Sequence, residues 1–148
     1  MTKPATSVET IATSCIAGRI RVLNRVITNL YDNALRPFGL KLSQGNVLAV
    51  TAKLGVARPA QVCEILKLDT STLSRTVDRM VDNGWLEIVP DNDARSHPFR
   101  LTNQGRQLME RIIPAWEKAQ VEAHRLLGED TLRMLDAAIL RIQTLDEY

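Results

Sequence analysis

The sequence predicts a mainly α-helical protein with a small β wing, in which a winged helix-turn-helix is flanked by N- and C-terminal dimerisation helices. Residues 58–83 have the pattern of two short helices joined by a tight turn, and the turn-rich segment 90–96 separates two short segments with strand character. Both ends of the 148-residue chain carry long amphipathic patterns. We therefore expect a helical dimerisation region at residues 8–36 and 103–146, around a winged helix-turn-helix lobe at residues 40–102.

The first element is predicted to be one helix from about Val8 to Arg36. A helix of that length spans roughly 43 Å at 1.5 Å per residue, which is too long for one small lobe to cover, so a partner helix is expected. Pro37 and Gly39 end it. Its apolar stripe recurs every three or four residues: Ile16, Ile20, Leu23, Ile27, Leu30 and Ala34.

Three helices of the lobe follow. The second helix is predicted at residues 42–54 and ends at Gly55. The third begins at Pro59, because proline is favoured in a first turn. The fourth covers residues 69–83, where Asp69 or Thr70 can accept a backbone N–H as the cap. The third helix is expected to bury Val62, Ile65 and Leu66.

The fourth helix has two chemically different faces. Its inner stripe is apolar and consists of Leu73, Val77, Met80 and Val81. Its outer face consists of Ser71, Ser74, Arg75, Asp78, Arg79 and Asp82. Hydroxyl and guanidinium groups contact phosphates and base edges in a DNA major groove. The alternative is that the two arginines are solvated and pair with the two aspartates.

The wing is predicted from two strands, residues 85–89 and 99–101, around the polar tip. Thr102 can cap the next helix, in which Pro114 should produce a kink. The apolar stripe of that helix is Leu108, Ile112, Trp116, Ala119 and Ala123. The last helix follows a break at residues 127–130, and its stripe is Leu132, Leu135, Ile139, Ile142 and Leu145.

Composition excludes several classes of protein. Net charge is only +2, and the seven basic and seven acidic residues of segment 58–106 cancel, so any case for DNA must rest on the placement of charge. There is no transmembrane run and no secretory pattern, which favours a cytoplasmic protein without membrane contact. Cys15 and Cys63 are far apart in sequence and predict neither a disulfide framework nor a metal site.

No catalytic constellation is visible. His97 and His124 are the only histidines, and neither accompanies a pattern of acid–base chemistry, a nucleophile elbow or a phosphate loop. We therefore expect no enzyme, no catalytic residues and no cofactor. His97 is expected to serve in a turn or to contact a phosphate.

Five segments together resemble the MarR family of bacterial transcription regulators. They are residues 68–75 (LDTSTLSR), 84–86 (GWL), 93–95 (DAR), 101–105 (LTNQG) and 36–40 (RPFGL). Gln44 and the segment from Pro114 to Gln120 fit the same pattern, so the resemblance covers nearly the whole chain.

The resemblance implies an obligate homodimer that binds a pseudo-palindromic DNA operator and represses, or less often activates, nearby genes. It implies release by a small aromatic ligand or by cysteine oxidation. Arg95 falls on the wing arginine that enters the minor groove, and Asp93 on the acid that often orients it. Ser71, Thr72, Ser74, Arg75 and Arg79 fall on the recognition helix. The full set of DNA-binding candidates is Arg58, Thr70, Ser71, Thr72, Ser74, Arg75, Arg79, Asp93, Arg95 and His97.

Two departures from the family pattern suggest functions. Arg58 replaces a common Ser or Thr cap and is a candidate phosphate contact. Gly45 replaces a bulky residue, which leaves room for an aromatic ring beside the first helix. The candidate ligand-pocket residues are Arg19, Tyr31, Gly45 and Trp116, with His124 as a further possibility. For Trp116, packing in the core is the competing interpretation.

Two alternative functions remain open from the sequence. Cys15 lies near the start of the first helix, where some oxidant-sensing relatives keep a reactive cysteine, and Arg19 could stabilise its thiolate. Burial of Cys15 in a core or dimer interface is the competing interpretation. The second alternative is a helical protein-interaction module that does not bind DNA.

Overall fold

The computed structural model describes residues 7–145, so residue 146 of the predicted dimerisation region lies outside it. The first helices are α1 (Val8–Ser14) and α2 (Ile16–Leu35), followed by a 3₁₀ turn at Arg36–Phe38. The lobe contains α3 (Leu42–Leu54), α4 (Pro59–Leu66), α5 (Thr70–Asp82), β1 (Leu86–Ile88) and β2 (Phe99–Leu101). The chain then forms α6 (Asn103–Leu127) and α7 (Glu129–Leu145). This mainly helical architecture with a two-stranded wing confirms the predicted fold class.

The prediction of one continuous first helix is wrong, because the chain breaks at Cys15. That residue is extended, with ψ 117°, and separates α1 from α2. The preceding residues favour the break: the Thr13 hydroxyl donates to the Glu9 carbonyl at 2.9 Å, as hydroxyl side chains do when they compete with the helical ladder. The Arg19 guanidinium donates to the Thr13 carbonyl at 3.0 Å and satisfies a group near the break.

The main core lies where α3, α4, α5, the wing and the start of α6 meet. Its side chains are almost entirely buried and include Val47, Leu48, Val62, Leu73, Met80 and Phe99. A second, smaller cluster joins α2 to the far half of α6 through Tyr31, Ala119 and Ala123. The helices outside the lobe, α1, α2, α6 and α7, are called the helical arm. The arm and the lobe have separate cores, and α6 contributes to both.

The wing is attached to the helices by its backbone as well as by its side chains. Strands β1 and β2 are antiparallel, with Leu86 opposite Leu101 and Ile88 opposite Phe99. Ala57, just before α4, exchanges both backbone hydrogen bonds with Phe99, at 2.8 and 2.9 Å. The sequence pattern did not predict this bridge, which extends the wing sheet toward α4.

The helical arms leave a large apolar surface uncovered. On α1 and α2 the exposed side chains are Val8, Ile11, Ile16, Ile20, Val22, Leu23 and Val26. On α7 they are Met134, Leu135, Ile139, Leu140, Ile142 and Leu145. No helix in residues 7–145 is long and apolar enough to span a membrane.

Two expectations about burial, for Trp116 and Ile65, are not met within this single chain. Trp116 is 41% exposed although it continues the stripe of α6, and Ile65 is 53% exposed at the surface of α4. The stripe of the last helix is solvent-exposed for most of its length, because α7 contacts α6 at one end and has little else to pack against. Helical spacing marks these side chains as one face but does not say what covers that face.

Gly105 allows a close approach between the first turn of α6 and the start of β1. A Cβ at this position would lie 2.1 Å from the Trp85 carbonyl oxygen. That oxygen also accepts the Thr102 N–H at 3.1 Å, so the backbone has little freedom to move away.

We expect Gly105→Ala to lower the free energy of unfolding by about 1–3 kcal/mol, because the added methyl forces these two backbones apart. Chemical denaturation measures this change. Gly45→Ala is the matched control, since its Cβ would meet Leu40 and Leu35 at 3.7 and 3.8 Å, an ordinary contact. That variant should gain about 0.4–1 kcal/mol from reduced chain entropy in the unfolded state. A Gly105→Ala protein as stable as the control would contradict the tight packing.

Candidate nucleic-acid interface

The turn between α4 and α5 sets the direction of α5. Lys67 adopts a left-handed conformation with φ 51°, and the Leu68 N–H donates to the Cys63 carbonyl at 3.0 Å, which closes the end of α4. Leu68 packs against the main core, and Asp69 then begins the next helix. The buried side of α5 is thereby fixed, and its opposite side faces solvent.

Asp69 organises the first turn of α5. One of its carboxylate oxygens accepts the Thr72 N–H and the Ser71 hydroxyl, both at 2.7 Å, and the other accepts the Thr72 hydroxyl at 2.8 Å. The hydrogen bond from the Ser71 hydroxyl, followed by those from Thr72, lowers the pKa of Asp69 to about 2. The predicted cap is thus Asp69, and the two hydroxyls beside it are held in place by its charge.

The outer face of α5 is open to solvent. Thr70, Ser71, Ser74, Arg75 and Arg79 are exposed, while Thr72 is half-buried. Within residues 7–145, neither arginine forms an ion pair with an aspartate of its own helix or with any other carboxylate. The alternative in which Asp78 and Asp82 occupy these guanidinium groups is therefore not what the structure shows.

The tip of the wing is a compact polar turn. The Asp93 side chain accepts the backbone N–H of Arg95 at 3.0 Å, and the Asp93 carbonyl accepts the Ser96 N–H at the same distance. Asp93 therefore binds the backbone of Arg95, and the predicted contact between its carboxylate and the Arg95 guanidinium is not observed. His97 ends the turn with a left-handed φ of 40°. Asp93, Arg95 and His97 are all exposed.

Arg58 lies against the wing. Its guanidinium donates to the Asp91 carboxylate at 2.7 Å, and the same nitrogen donates to the Ser96 hydroxyl. Hydrogen bonds from Arg58 and from Ser96 hold the pKa of the Asp91 carboxyl below its usual range. Arg58 makes no side-chain cap bond to α4, because a guanidinium cannot accept a hydrogen bond, while the Gln61 side chain accepts the Arg58 N–H at 3.3 Å.

A cleft of about 370 Å³ joins α5 to the wing. Thr70, Ser74 and Asp78 line it from α5, and Arg95 and His97 line it from the wing. The structure therefore brings together two groups of predicted DNA-binding residues that are about twenty positions apart in sequence. Arg75 and Arg79 lie on α5 outside the cleft lining.

A second, apolar pocket of about 280 Å³ lies between α3 and α6, next to the end of α2. Gly45 and Trp116 line it, as predicted, with apolar neighbours that include Leu35, Leu42 and Ile112. Tyr31 is not part of the lining. It packs with Leu42 and donates its hydroxyl proton to Gln120, and burial raises its pKa.

Arg19 and Cys15 are elsewhere in the arm. Both line a shallow depression at the junction of α1 and α2, so the structure does not bring Arg19 to the pocket of Gly45 and Trp116. Cys15 is exposed in the single chain, and its expected burial in a core is not observed. The Arg19 guanidinium binds the Thr13 carbonyl, and Cys63 is half-buried against the main core.

Sequence patterns missed three residues of this site. Ala57 has no chemical signal because it acts through its backbone. Asp91 and Ser96 were assigned only to a polar tip, since their partner Arg58 is more than thirty positions away. A basic residue at the helix cap followed by an acid at the start of the wing was the available signal for this contact.

Comparisons with known proteins agree on one family. Residues 38–96 match the model of the MarR family. The multiple antibiotic resistance protein MarR of Escherichia coli is 28% identical over 112 residues, which span 75% of this chain and 70% of that protein. Its Salmonella typhimurium counterpart is 30% identical over 62% of this chain and 64% of its own length, just under two thirds. The transcriptional regulator PecS of Dickeya dadantii is 26% identical over 86% of this chain and 80% of its own.

Solved structures show the same fold. A variant of E. coli MarR complexed with operator DNA superposes with a TM-score of 0.80 at 23% identity, over 92% of this chain and 99% of that one. The Mycobacterium tuberculosis regulator MosR, in complex with DNA, gives 0.77 at 25% identity, over 91% of this chain and 100% of that one.

We expect the Asp69 cap to make the lobe acid-sensitive. Its folded pKa of about 2 lies below the ordinary value of 3.8, so its stabilising contribution is complete above that value and is lost as pH falls toward 2. Asp69→Asn keeps a good helix cap without an ionisable group. The wild type should therefore melt above this variant at neutral pH, and the difference should shrink between about pH 4 and pH 2.

Thermal melts across this pH range provide the measurement. Asp136→Asn, which removes an exposed carboxylate on α7, corrects for the general effect of net charge. A melting difference between wild type and Asp69→Asn that stays constant down to pH 2 would rule out the ionised cap.

Proposed function

We propose that the chain is a homodimeric repressor of the MarR family of transcription regulators, a proposal that its similarity to that family supports. It binds a pseudo-palindromic operator and is released when a small aromatic ligand binds. The single observation that carries the proposal is the exposed face of α5, where neither Arg75 nor Arg79 forms an ion pair, beside a wing that presents Arg95.

DNA binding follows from the geometry of this face. The first turn of α5 presents hydroxyls held by Asp69, and the arginines follow at one-turn spacing. In a helix-turn-helix the second helix enters the major groove and its N-terminal part contacts base edges. Arg95 lies at the far side of the shared cleft, which supports a contact with an adjacent minor groove, whose negative potential attracts arginine. The E. coli and M. tuberculosis proteins crystallised with DNA support the same partner.

Dimerisation is supported by the uncovered helical arms. The exposed apolar side chains of α1, α2 and α7 form surfaces that are larger than isolated surface hydrophobics and require a cover. A groove of about 280 Å³ between α2 and the α6–α7 junction is lined almost wholly by apolar side chains, among them Ile20, Leu23 and Leu135. A second copy supplies the matching surface by two-fold symmetry, and its α5 then meets a half-site about 34–36 Å away.

Ligand release is supported by the position of the apolar pocket. Its lining comes from α2 and α6, which belong to the arm, and from α3, which belongs to the lobe. A ring inserted there contacts both units, so it stabilises one spacing between arm and lobe over others. If that spacing differs from the one that matches two successive major grooves, the dimer loses DNA affinity. Trp116 provides a face for an aromatic ligand.

One experiment tests the core of the proposal. The purified protein is used to select duplexes from a random-sequence library, and the selected DNA is titrated at several salt concentrations while sedimentation velocity gives the oligomeric state. We expect an inverted repeat, a dimer, and affinity that falls as salt rises. Failure to enrich any duplex would favour a protein-interaction module. Transcription from a reporter that carries the selected site shows whether the effect is repression.

We expect Arg75→Ala to weaken binding to the selected site by about 1–3 kcal/mol, because it removes a contact in the major groove. Competitive gel shifts measure the change against random DNA. Arg125→Ala is the charge-matched control, since Arg125 is paired with Glu122 near the far end of α6. Equal affinities for wild type and Arg75→Ala would remove Arg75 from the interface.

We expect Gly45→Phe to abolish the ligand response while DNA binding is retained, because the new ring fills the apolar pocket. The position accepts a side chain, since a Cβ there has no contact closer than 3.7 Å. Calorimetric titration with a panel of aromatic acids, followed by gel shifts with each binder, gives both properties. Ligand-induced release from Gly45→Phe that equals the wild-type release would place the ligand elsewhere.

A further inference from the structure

We propose that Arg58 is a positioning residue that holds the two sides of the wing tip together and so fixes the direction in which Arg95 is presented. The inference rests on the proposed DNA-binding function. It assigns to Arg58 a role other than the phosphate contact suggested by its sequence position, and it makes Asp91 and Ser96 part of the binding machinery.

Few other contacts attach the wing tip to the rest of the lobe. Between Val89 and Pro98, the turn is solvent-exposed at all but one position, Ser96, which is half-buried. Its base is closed by the Val89 N–H, which donates to the Pro98 carbonyl at 2.8 Å. The backbone bonds around Asp93 are internal to the tip, so they shape the turn but do not attach it to the helices.

Arg58 supplies the missing attachment. It follows Ala57, whose backbone is bridged to Phe99, and it occupies the cap position of α4. Its backbone is therefore fixed at both sides, and its side chain extends along the wing. One guanidinium nitrogen donates to Asp91, on the side of the tip that follows β1, and to Ser96, on the side that leads into β2. The next residue before Ser96 is Arg95, so this contact acts one peptide away from the groove-binding side chain.

The contact is suited to orientation more than to stability. The Arg58 and Asp91 side chains are 53% and 23% exposed, and exposed ion pairs add little to the free energy of folding. A guanidinium fork nevertheless fixes geometry, because its N–H groups diverge at set angles. Loss of the contact should leave the fold intact and leave Arg95 free to sample directions away from the minor groove.

The two roles of Arg58 predict opposite results for Asp91→Asn. If Arg58 is a phosphate contact, removal of Asp91 frees the guanidinium and removes a negative charge near DNA, so affinity rises. If Arg58 positions the wing, affinity for the selected duplex falls, and we expect a loss of roughly 2- to 150-fold, the range of coupling between residues in contact. Glu87→Gln is the matched control, since Glu87 forms a 2.7 Å pair with Arg100 that lies within the wing sheet.

The salt dependence separates the roles a second time. Loss of a phosphate contact in Arg58→Gln reduces the salt slope of binding by about 1, whereas loss of a positioning contact leaves the slope unchanged. Arg58→Lys keeps a donor for Asp91 and should recover part of the lost affinity. Arg95→Ala should cost less in the Asp91→Asn background than in the wild type, because the arginine is already misdirected there.

The experiment combines these titrations with thermal melts and with hydrogen exchange of residues 91–96 in the free protein. The proposal is supported if Asp91→Asn and Ser96→Ala melt like the wild type, exchange faster at the tip, and bind more weakly with an unchanged slope. It is overturned if Asp91→Asn binds as well as Glu87→Gln, or if its tip exchanges at the wild-type rate. Because the exchange data need no DNA, a protein that selects no duplex refutes the proposed function while the tethering of the tip is still decided.

Discussion

The backbone bridge between Ala57 and Phe99 is the constraint on which the rest of the lobe depends. The two residues satisfy each other's N–H and C=O groups, and both side chains are fully buried. Phe99 also pairs with β1, so a single residue joins the wing, the segment before α4 and the main core. Leu73 and Met80 place α5 on that same core. The exposed face of α5 and the two strands of the wing therefore form one rigid unit, and their relative placement is a property of packing.

The helical arms, unlike the lobe, bury few of their apolar side chains within one chain. Their internal cluster is small and joins α2 to α6, while most apolar side chains of α1, α2 and α7 remain in contact with water. A chain that keeps so much apolar surface exposed gains free energy by burying it against another surface. The core of the lobe is buried within one copy of the chain, whereas the apolar surface of the arms is not. This difference explains why the proposed two-fold assembly and the proposed DNA-binding geometry can be considered separately in this molecule.

Sequence patterns predicted the lobe well because its signals are local. Pro59 and Gly55 mark helix ends, Asp69 marks a cap, and the predicted limits of α3 and β2 match the structure. Predictions failed where distant residues decide the outcome. The stripe of α2 continues through Cys15 without a break in its pattern, but a side-chain contact from Arg19 stabilises an interrupted backbone there. Trp116 and Ile65 show the same limit, because periodicity identifies a face and not its partner.

The balance of charge in the lobe has a consequence for how such a protein finds one site in a chromosome. The seven basic and seven acidic side chains of residues 58–106 give little long-range attraction to phosphate, and attraction to phosphate supplies most of the affinity for random sequence. Non-specific genomic DNA then binds the protein weakly, and a larger share of the molecules stays free in solution at any moment. Occupancy of an operator in the cell depends on the ratio of the two affinities more than on either alone. Because the affinity of this lobe for random DNA is low, a small number of contacts at the operator is enough to give a high ratio of operator affinity to random-DNA affinity.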